Sequence, residues 1–321
     1  VKVAHWTLCN GSGMHRMAEE ISAAECALGV TSLLVPCEDN TKWESAYDAD
    51  IHVNHTHLPD IPMKEGAKTV WIGHGTIEHC FQNAVEEGTN KGYGAGDTWM
   101  LVLHWLKRSD ALVTFWPRQQ ELWQTMVDKG RTVHCVPMGV NTDYWQPIPS
   151  QGKYAGTPSV LTAENCHYIK WPLDLILMWP LVTNVVKDAR LHLVYLPRDQ
   201  HRWWAPLMFA NGAAFKTYMT GDAFAKDTLR NAFCSTDYYC GLVRYGDVNR
   251  VCLEAKASGA KVISFRGNEY ADFWLSEGDQ RLQKEEMVAI LRGDVAPRET
   301  KPVPHIRDTA AGMIQVYTSL L

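Results

Sequence analysis

Apolar and polar positions alternate along the chain in a regular order of short β-like runs and longer stretches of helical period. Lys2 to Thr7 predicts a first strand and Asn10, Gly11, Ser12 and Gly13 a tight loop. Met14, Met17, Ala18, Ile21 and Leu28 then recur at helical spacing up to Gly29, and Thr31 to Val35 predicts a second strand. A glycine loop at the first turn of such a βαβ unit brings backbone N–H groups to a helix N-terminus, where an anion can bind. Gly-Ser-Gly alone is compatible both with a ligand loop and with a plain tight turn.

Two more strands are predicted at Asp50 to Val53 and Thr69 to Ile72, each running into histidines. Asp48-Ala49-Asp50 matches a metal-holding Asp-x-Asp, but its place before a strand favours strand-start capping. His52, His55 and His57 lie on an extended segment without other obvious ligands, so alternation on a strand and its exit loop is preferred to a metal cluster. His74 follows a strand end and precedes Gly75, where parallel sheets bind ligands. Gly88 to Gly96 reads as a mobile loop, Trp99 to Lys107 as a helix, Ala111 to Phe115 as a strand, Gln119 to Val127 as a helix and Thr132 to Val136 as a strand. Pro147, Pro149, Ser150, Gln151 and Gly152 have linker composition, placing a domain boundary near residue 155.

The pattern restarts with a strand at Ser159 to Thr162, a helix at Leu173 to Leu181, a strand at Leu191 to Tyr195 and a helix at Ala223 to Ala232. Val248, Val251, Cys252 and Ala255 then show the i, i+3, i+4, i+7 spacing of one buried helix face, stopped by Gly259 before a strand at Val262 to Phe265. A last helix carries Ile306, Ala310, Met313, Ile314 and Tyr317. The expected fold is α/β, with doubly wound Rossmann-like domains over residues 1–155 and 156–304 and a helix over 305–321 packing back toward the first domain.

Composition narrows this further. A length of 321 residues with 46% hydrophobic residues can fill two cores, and 21% charged residues belong to a folded globular chain. The net charge of -5 argues against a generally basic nucleic-acid binder. No apolar run nears the roughly 18–20 residues that span a bilayer, and no leader pattern is read at the first residues, so integral membrane insertion is not expected. Nine scattered cysteines without a CxxC suggest buried thiols in a reducing cytoplasm, or in host cytoplasm for a phage-encoded chain.

Taken in order, these motifs resemble the retaining nucleotide-sugar glycosyltransferases of the GT-B fold, particularly the family 4 group, from Asn10 to Phe265. That family has a glycine loop after its first strand, here Gly11, Ser12 and Gly13, and a histidine after a later strand, here His74. Its Pro-Asn-Gly-Val-Asp-x-x-x-Phe segment is matched by Pro137-Met138-Gly139-Val140-Asn141-Thr142-Asp143-Tyr144-Trp145. The family's Gly-Arg followed by Lys, which reaches the donor diphosphate, aligns with Glu164, Asn165 and Lys170, so the lysine is present and the arginine is absent. Arg244 or Arg250 is a candidate replacement. In the family's Glu-Gly-Phe-Gly-x-x-x-x-Glu-Ala the second glutamate, a ribose ligand, falls on Glu254, while Gly246 replaces the first, which contacts the sugar. Asp247 is adjacent to it, and the loop amides correspond to Asp247, Val248 and Asn249.

The resemblance implies two domains with a cleft between them, a nucleoside-diphosphate sugar (UDP-sugar first) as donor substrate, no metal and no other cofactor. Loop amides, helix dipoles and Lys170 would stabilise the leaving diphosphate, a donor phosphate oxygen would take the acceptor proton, and His74 would position sugar or acceptor. On the acceptor side the candidates are His15, Arg202 and Trp203, the last two in the basic and aromatic stretch Arg198 to Trp204 that also reads as a core-packed loop. The acceptor classes left open are a glycoside, a lipid, a polysaccharide and a hydroxymethylated base of viral DNA, which would have to be flipped from its stack. A catalytically silent GT-B binding protein and a nucleotide-sugar epimerase are the alternatives to transfer.

Overall fold

The structure is a computed structural model that describes residues 1–7, 13–37, 40–55, 61–74, 77–78, 96–128, 130–149, 152, 154, 156–163, 172–193, 226–244 and 248–321. Two compact units divide the chain, one of Val1–Asn141 with Pro304–Leu321 and one of Thr142–Val303.

In the first unit the order is β1 (Lys2–Thr7), α1 (Gly13–Ala27), β2 (Thr31–Pro36), a 3-10 turn at Asn40–Lys42, α2 (Trp43–Tyr47), β3 (Ile51–Asn54) and β4 (Lys68–Ile72). Next come α3 (Gly96–Arg108), β5 (Ala111–Thr114), α4 (Pro117–Gln124) and β6 (Val133–Cys135). The strands form one parallel sheet in the order β2-β1-β3-β4-β5-β6. Side chains alternate between its faces with period two. Trp6 and Trp71 pack with Val102, Trp105, Trp123 and Val133 in a tryptophan-rich core. On the opposite face lie His5 and Val53, paired in register, and β1 packs there against α1.

The second unit contains β7 (Ser159–Thr162), α5 (Pro172–Thr183), β8 (Arg190–Leu193), α6 (Lys226–Cys234) and β9 (Tyr238–Gly241). It continues with α7 (Arg250–Ala257), β10 (Lys261–Phe265), β11 (Phe273–Leu275) and α8 (Gln280–Arg292). Its parallel sheet runs β11-β10-β9-β7-β8, so the strand order reverses between β7 and β9. The core is mainly aliphatic, with Val160, Leu175, Leu191, Cys240, Ile263 and Met287 all nearly inaccessible. The final helix, α9 (Ile306–Leu320), belongs to the first unit and packs on α1.

A recurrent device starts the strands. A carboxylate just before one strand accepts an N–H from the first or second residue of its neighbour: Asp50 from Lys2 at 2.9 Å, Asp110 from Thr69 at 2.8 Å, Asp237 from Ser159 at 2.8 Å, and Asp272 from Val262 at 2.8 Å. Asp50 also takes Lys64 Nζ at 2.8 Å, which together with the Lys2 amide holds its carboxyl below the usual range, and Asp48 pairs with Lys2 Nζ. Asp50 therefore serves as a strand-start cap, while Asp48 pairs with the Lys2 side chain.

Several expectations shift. The sequence pattern offers no strand between Ala232 and Val248, yet Tyr238–Gly241 is the buried strand β9 next to the switch point. Val248 precedes α7 instead of starting it, because Asn249 is the N-cap and accepts the Val251 N–H at 3.2 Å. Helix α8 escapes the periodicity reading because its first turns are polar; Asp279 caps it and Gly293, at φ 80°, ends it. Residues 142–149, 152 and 154 belong to the second unit despite the linker composition of this stretch. The Trp145 ring lies 5.9 Å from that of Phe233, tilted by 50°, Tyr154 N–H bonds Ser235 O at 3.0 Å, and a Cβ on Gly259 would sit 3.2 Å from Pro147. The thiols are less buried than expected. Among the described cysteines Cys240 and Cys252 are buried, Cys26 is exposed, and none of the six forms a disulfide. The predicted loop at Gly88 to Gly96 lies outside the described residues except for Gly96, which begins α3.

Candidate functional site

The carboxyl ends of β7 and β9 carry the candidate donor residues of the second unit. Glu254 projects from α7 and is only 5% exposed, not a solvated helix residue. Arg250, one turn earlier and itself buried, donates Nε to Glu254 Oε1 at 2.9 Å, so the carboxylate keeps a charge partner and a fixed orientation. Arg250 thereby holds Glu254 through Nε. Arg244 follows β9 and reaches across the switch point to Asp174 in the first turn of α5, Nη2 to Oδ2 at 3.3 Å. Asn249 fixes the start of α7, and a helix N-terminus of this kind favours an anion. Asn165, Lys170, Gly246, Asp247, Arg202 and Trp203 lie outside the described residues.

The junction motif has a geometric reason for its glycine. A Cβ on Gly139 would fall 2.4 Å from the His305 carbonyl oxygen and 2.8 Å from Thr309 Oγ1. Gly139 N–H bonds that hydroxyl at 2.8 Å, and Val140 exchanges backbone bonds with Pro304 and Ile306 at 3.1 and 2.9 Å. Further along the motif, Tyr144 Oη donates to Asp227 at 2.5 Å, and burial with this bond raises its pKa.

In the first unit the carboxyl ends of β1, β3 and β4 converge. Gly13 is the first residue of α1, and a Cβ there would meet none of the described atoms within 4 Å. His15 is half-buried in the first turn of the same helix, while Gly11 and Ser12 lie outside the described residues. His74 is half-buried two residues past β4, with its ring 5.7 Å from Phe115. Behind it runs a line of hydrogen-bonded groups that the sequence reading did not find. His74 Nε2 meets His55 Nδ1 at 2.9 Å, His55 Nε2 meets His5 Nδ1 at 2.8 Å, and His5 Nε2 meets Glu25 Oε2 at 2.8 Å. Glu25 Oε1 accepts from Tyr317 Oη of α9 at 2.8 Å, and Ser32 Oγ lies 2.7 Å from Oε2. The sequence signal was there: Glu25 follows Met17, Ala18, Ile21 and Ala24 on the buried face of α1.

His52, in contrast, points to the other sheet face and accepts the Trp6 indole N–H at 3.0 Å, with burial pulling its pKa down to about 4. His57 lies outside the described residues. Among the described residues no group of three or more His, Cys, Asp or Glu side chains could hold a metal ion, and no helix is long and apolar enough to cross a membrane.

No protein-family model and no curated protein sequence matches the chain. Solved structures do. Sucrose-phosphate synthase of Thermosynechococcus elongatus superposes with a TM-score of 0.73 at 12% identity, covering 99% of this chain and 98% of that one. The chain has the GT-B fold. HepE of Anabaena, solved in complex with UDP-glucose, gives a TM-score of 0.63 at 10% identity over 99% and 98% of the two chains. WaaG, a glycosyltransferase involved in lipopolysaccharide biosynthesis, gives 0.63 at 13% identity over 97% and 94%. At these identities the GT-B likeness is one of architecture.

Proposed function

We propose that the chain is a retaining glycosyltransferase that moves a sugar from a UDP-sugar to an acceptor hydroxyl without a metal. The observation that carries this reading is Glu254, a buried carboxylate of α7 oriented by Arg250, at the position to which the motif resemblance assigns a ribose ligand. A carboxylate accepts from two vicinal hydroxyls at once, which is the recognition a ribose asks for. Arg244, Lys170 and the amides of Asp247, Val248 and Asn249 would neutralise the departing diphosphate, together with the loop Gly11-Ser12-Gly13 ahead of α1. The UDP-glucose bound by HepE makes a uridine donor the first to test.

The reaction is a displacement in which the acceptor oxygen forms the new bond to the anomeric carbon on the face the diphosphate leaves, so the configuration is kept. The experiment is incubation with UDP-glucose and a panel of hydroxyl acceptors, including glycosides, lipids and hydroxymethylated duplexes. Mass spectrometry and proton NMR of the anomeric signal provide the readout. Release of UDP matched by a hexose on the acceptor, α-configured, is expected. An epimerised donor formed without acceptor, or a β-product, overturns the assignment.

A further inference from the structure

We propose that Asp174 is a positioning residue of the donor site, holding Arg244 across the switch point of the second sheet so that its guanidinium is presented to the donor's diphosphate. The topology sets the place. Strands β7 and β9 lie side by side, and the chain leaves them in opposite directions, from β7 through α5 to β8 and from β9 through α7 to β10. Helices that part in this way leave a crevice beyond the strand ends, where α/β sheets take their ligands. Arg244 comes three residues after β9, and Asp174 is the third residue of α5. Their bond, Nη2 to Oδ2 at 3.3 Å, spans the two sides of the switch point. Asp174 is only 7% exposed, whereas 34% of the Arg244 side chain is open to solvent.

The geometry suits presentation better than stability. The strongest arginine–carboxylate pairs set two nitrogens of one guanidinium edge on the two carboxylate oxygens. Here the contact is single and long, and Asp174 has no second partner among the described residues. Arg244 Nε is buried without a partner, and Nη1 has none either among the described residues. A guanidinium carries several N–H donors in a fixed plane, so one bond to Asp174 restrains it and leaves the others for a second anion. A diphosphate, rich in acceptor oxygens, meets that demand. The bond also removes rotamer freedom from a long side chain before the ligand arrives, so less is lost on binding. At the same time the Asp174 charge offsets part of the attraction that Arg244 exerts on an anion. What Asp174 adds is direction, and this opposition gives the positioning role a measurable sign.

The role rests on the UDP-sugar reading for its ligand, and UDP and uridine separate the diphosphate from the rest of the nucleotide. Their affinities for the full chain are measured by isothermal titration calorimetry for UDP and by ligand-observed NMR for the weaker uridine. Arg244→Gln should weaken UDP at least about tenfold and leave uridine within about twofold. Asp174→Ala removes a negative charge beside the site, so through-space electrostatics alone would tighten UDP binding. Positioning predicts the reverse, a loss of about three- to tenfold with uridine again within about twofold. Asp174→Asn, whose side-chain carbonyl still accepts from Nη2, should recover most of that loss. Added to Arg244→Gln, Asp174→Ala should change UDP affinity less than about 1.5-fold, since the group it positions is gone. Retained uridine affinity reports that each variant is folded. UDP binding that Asp174→Ala leaves equal or tighter, an equal loss with and without Arg244, or a loss shared by uridine overturns the positioning role. Wild-type protein that does not bind UDP overturns the UDP-sugar reading as well, whereas wild-type binding that the variants leave intact overturns the Asp174 assignment alone.

Discussion

Gly139→Ala is the substitution whose cost can be worked most directly from the structure. The new methyl would stand 2.4 Å from the His305 carbonyl oxygen and 2.6 Å from its carbon, both backbone atoms that no rotamer change can clear. Relief requires the 304–306 segment to move away, which breaks the Gly139 N–H bond to Thr309 Oγ1 and the paired bonds of Val140. Overpacking of this kind costs about 1–3 kcal/mol, and about 1 kcal/mol more follows for each bond lost without replacement, so a loss of roughly 2–4 kcal/mol is expected. At about 2–4 °C per kcal/mol, differential scanning calorimetry should show the transition of the Val1–Asn141 unit lowered by about 5–15 °C. Thr309→Val, which removes the hydroxyl that accepts from Gly139 and donates to Pro137 at 2.8 Å, should cost about 1–3 kcal/mol, and Thr309→Ser should recover most of it. A Gly139→Ala protein melting within about 2 °C of wild type would refute the steric argument.

Asp237→Ala leaves the Ser159 N–H and hydroxyl without their shared acceptor at the start of β7, and urea unfolding should register a loss of about 2 kcal/mol. His52 has a folded pKa of about 4 against a reference of 6.5, so the unfolded chain binds the extra proton between these values. Its contribution is intact above pH 6.5, declines as pH falls, and is fully lost below pH 4. Urea midpoints measured from pH 7 to 4.5 should thus fall with a slope reaching one proton, about 3 kcal/mol in total, and His52→Gln should flatten it by that amount. Arg250→Met uncouples Glu254 from its partner; weaker donor binding with kcat reduced less than the affinity is the expected result in steady-state kinetics, since Arg250 positions Glu254 and does not meet the reacting atoms.

The alternation of strand and helix was legible because parallel strands buried on both faces read as short apolar runs, as in Ala111–Thr114 and Lys261–Phe265. Strand β9 was hidden because its Tyr-Tyr-Cys-Gly carries the polar and glycine character of a loop while its burial comes from neighbours far away in sequence. Glu254 was found through its motif, but its burial and its bond to Arg250 were not, since a helix face with a charged pair at i, i+4 looks solvated in one dimension. The line of hydrogen bonds from His74 to Glu25 and Tyr317 shows the limit most clearly. Its members come from β1, α1, the exits of β3 and β4, and α9, and Tyr317 meets Glu25 across 292 residues. Only the sheet order, with β1 between β2 and β3, brings them into line.

The central claim, that Glu254 and its surroundings hold a nucleoside-diphosphate sugar, is tested most directly by isothermal titration calorimetry of UDP-glucose into the full chain. One-site binding with Kd between about 1 μM and 1 mM is predicted, weakened at least about tenfold by Glu254→Gln in a protein with an unchanged melting profile. Binding of equal strength in wild type and variant, or no binding of UDP-glucose or any other nucleotide sugar at millimolar concentration, would contradict it.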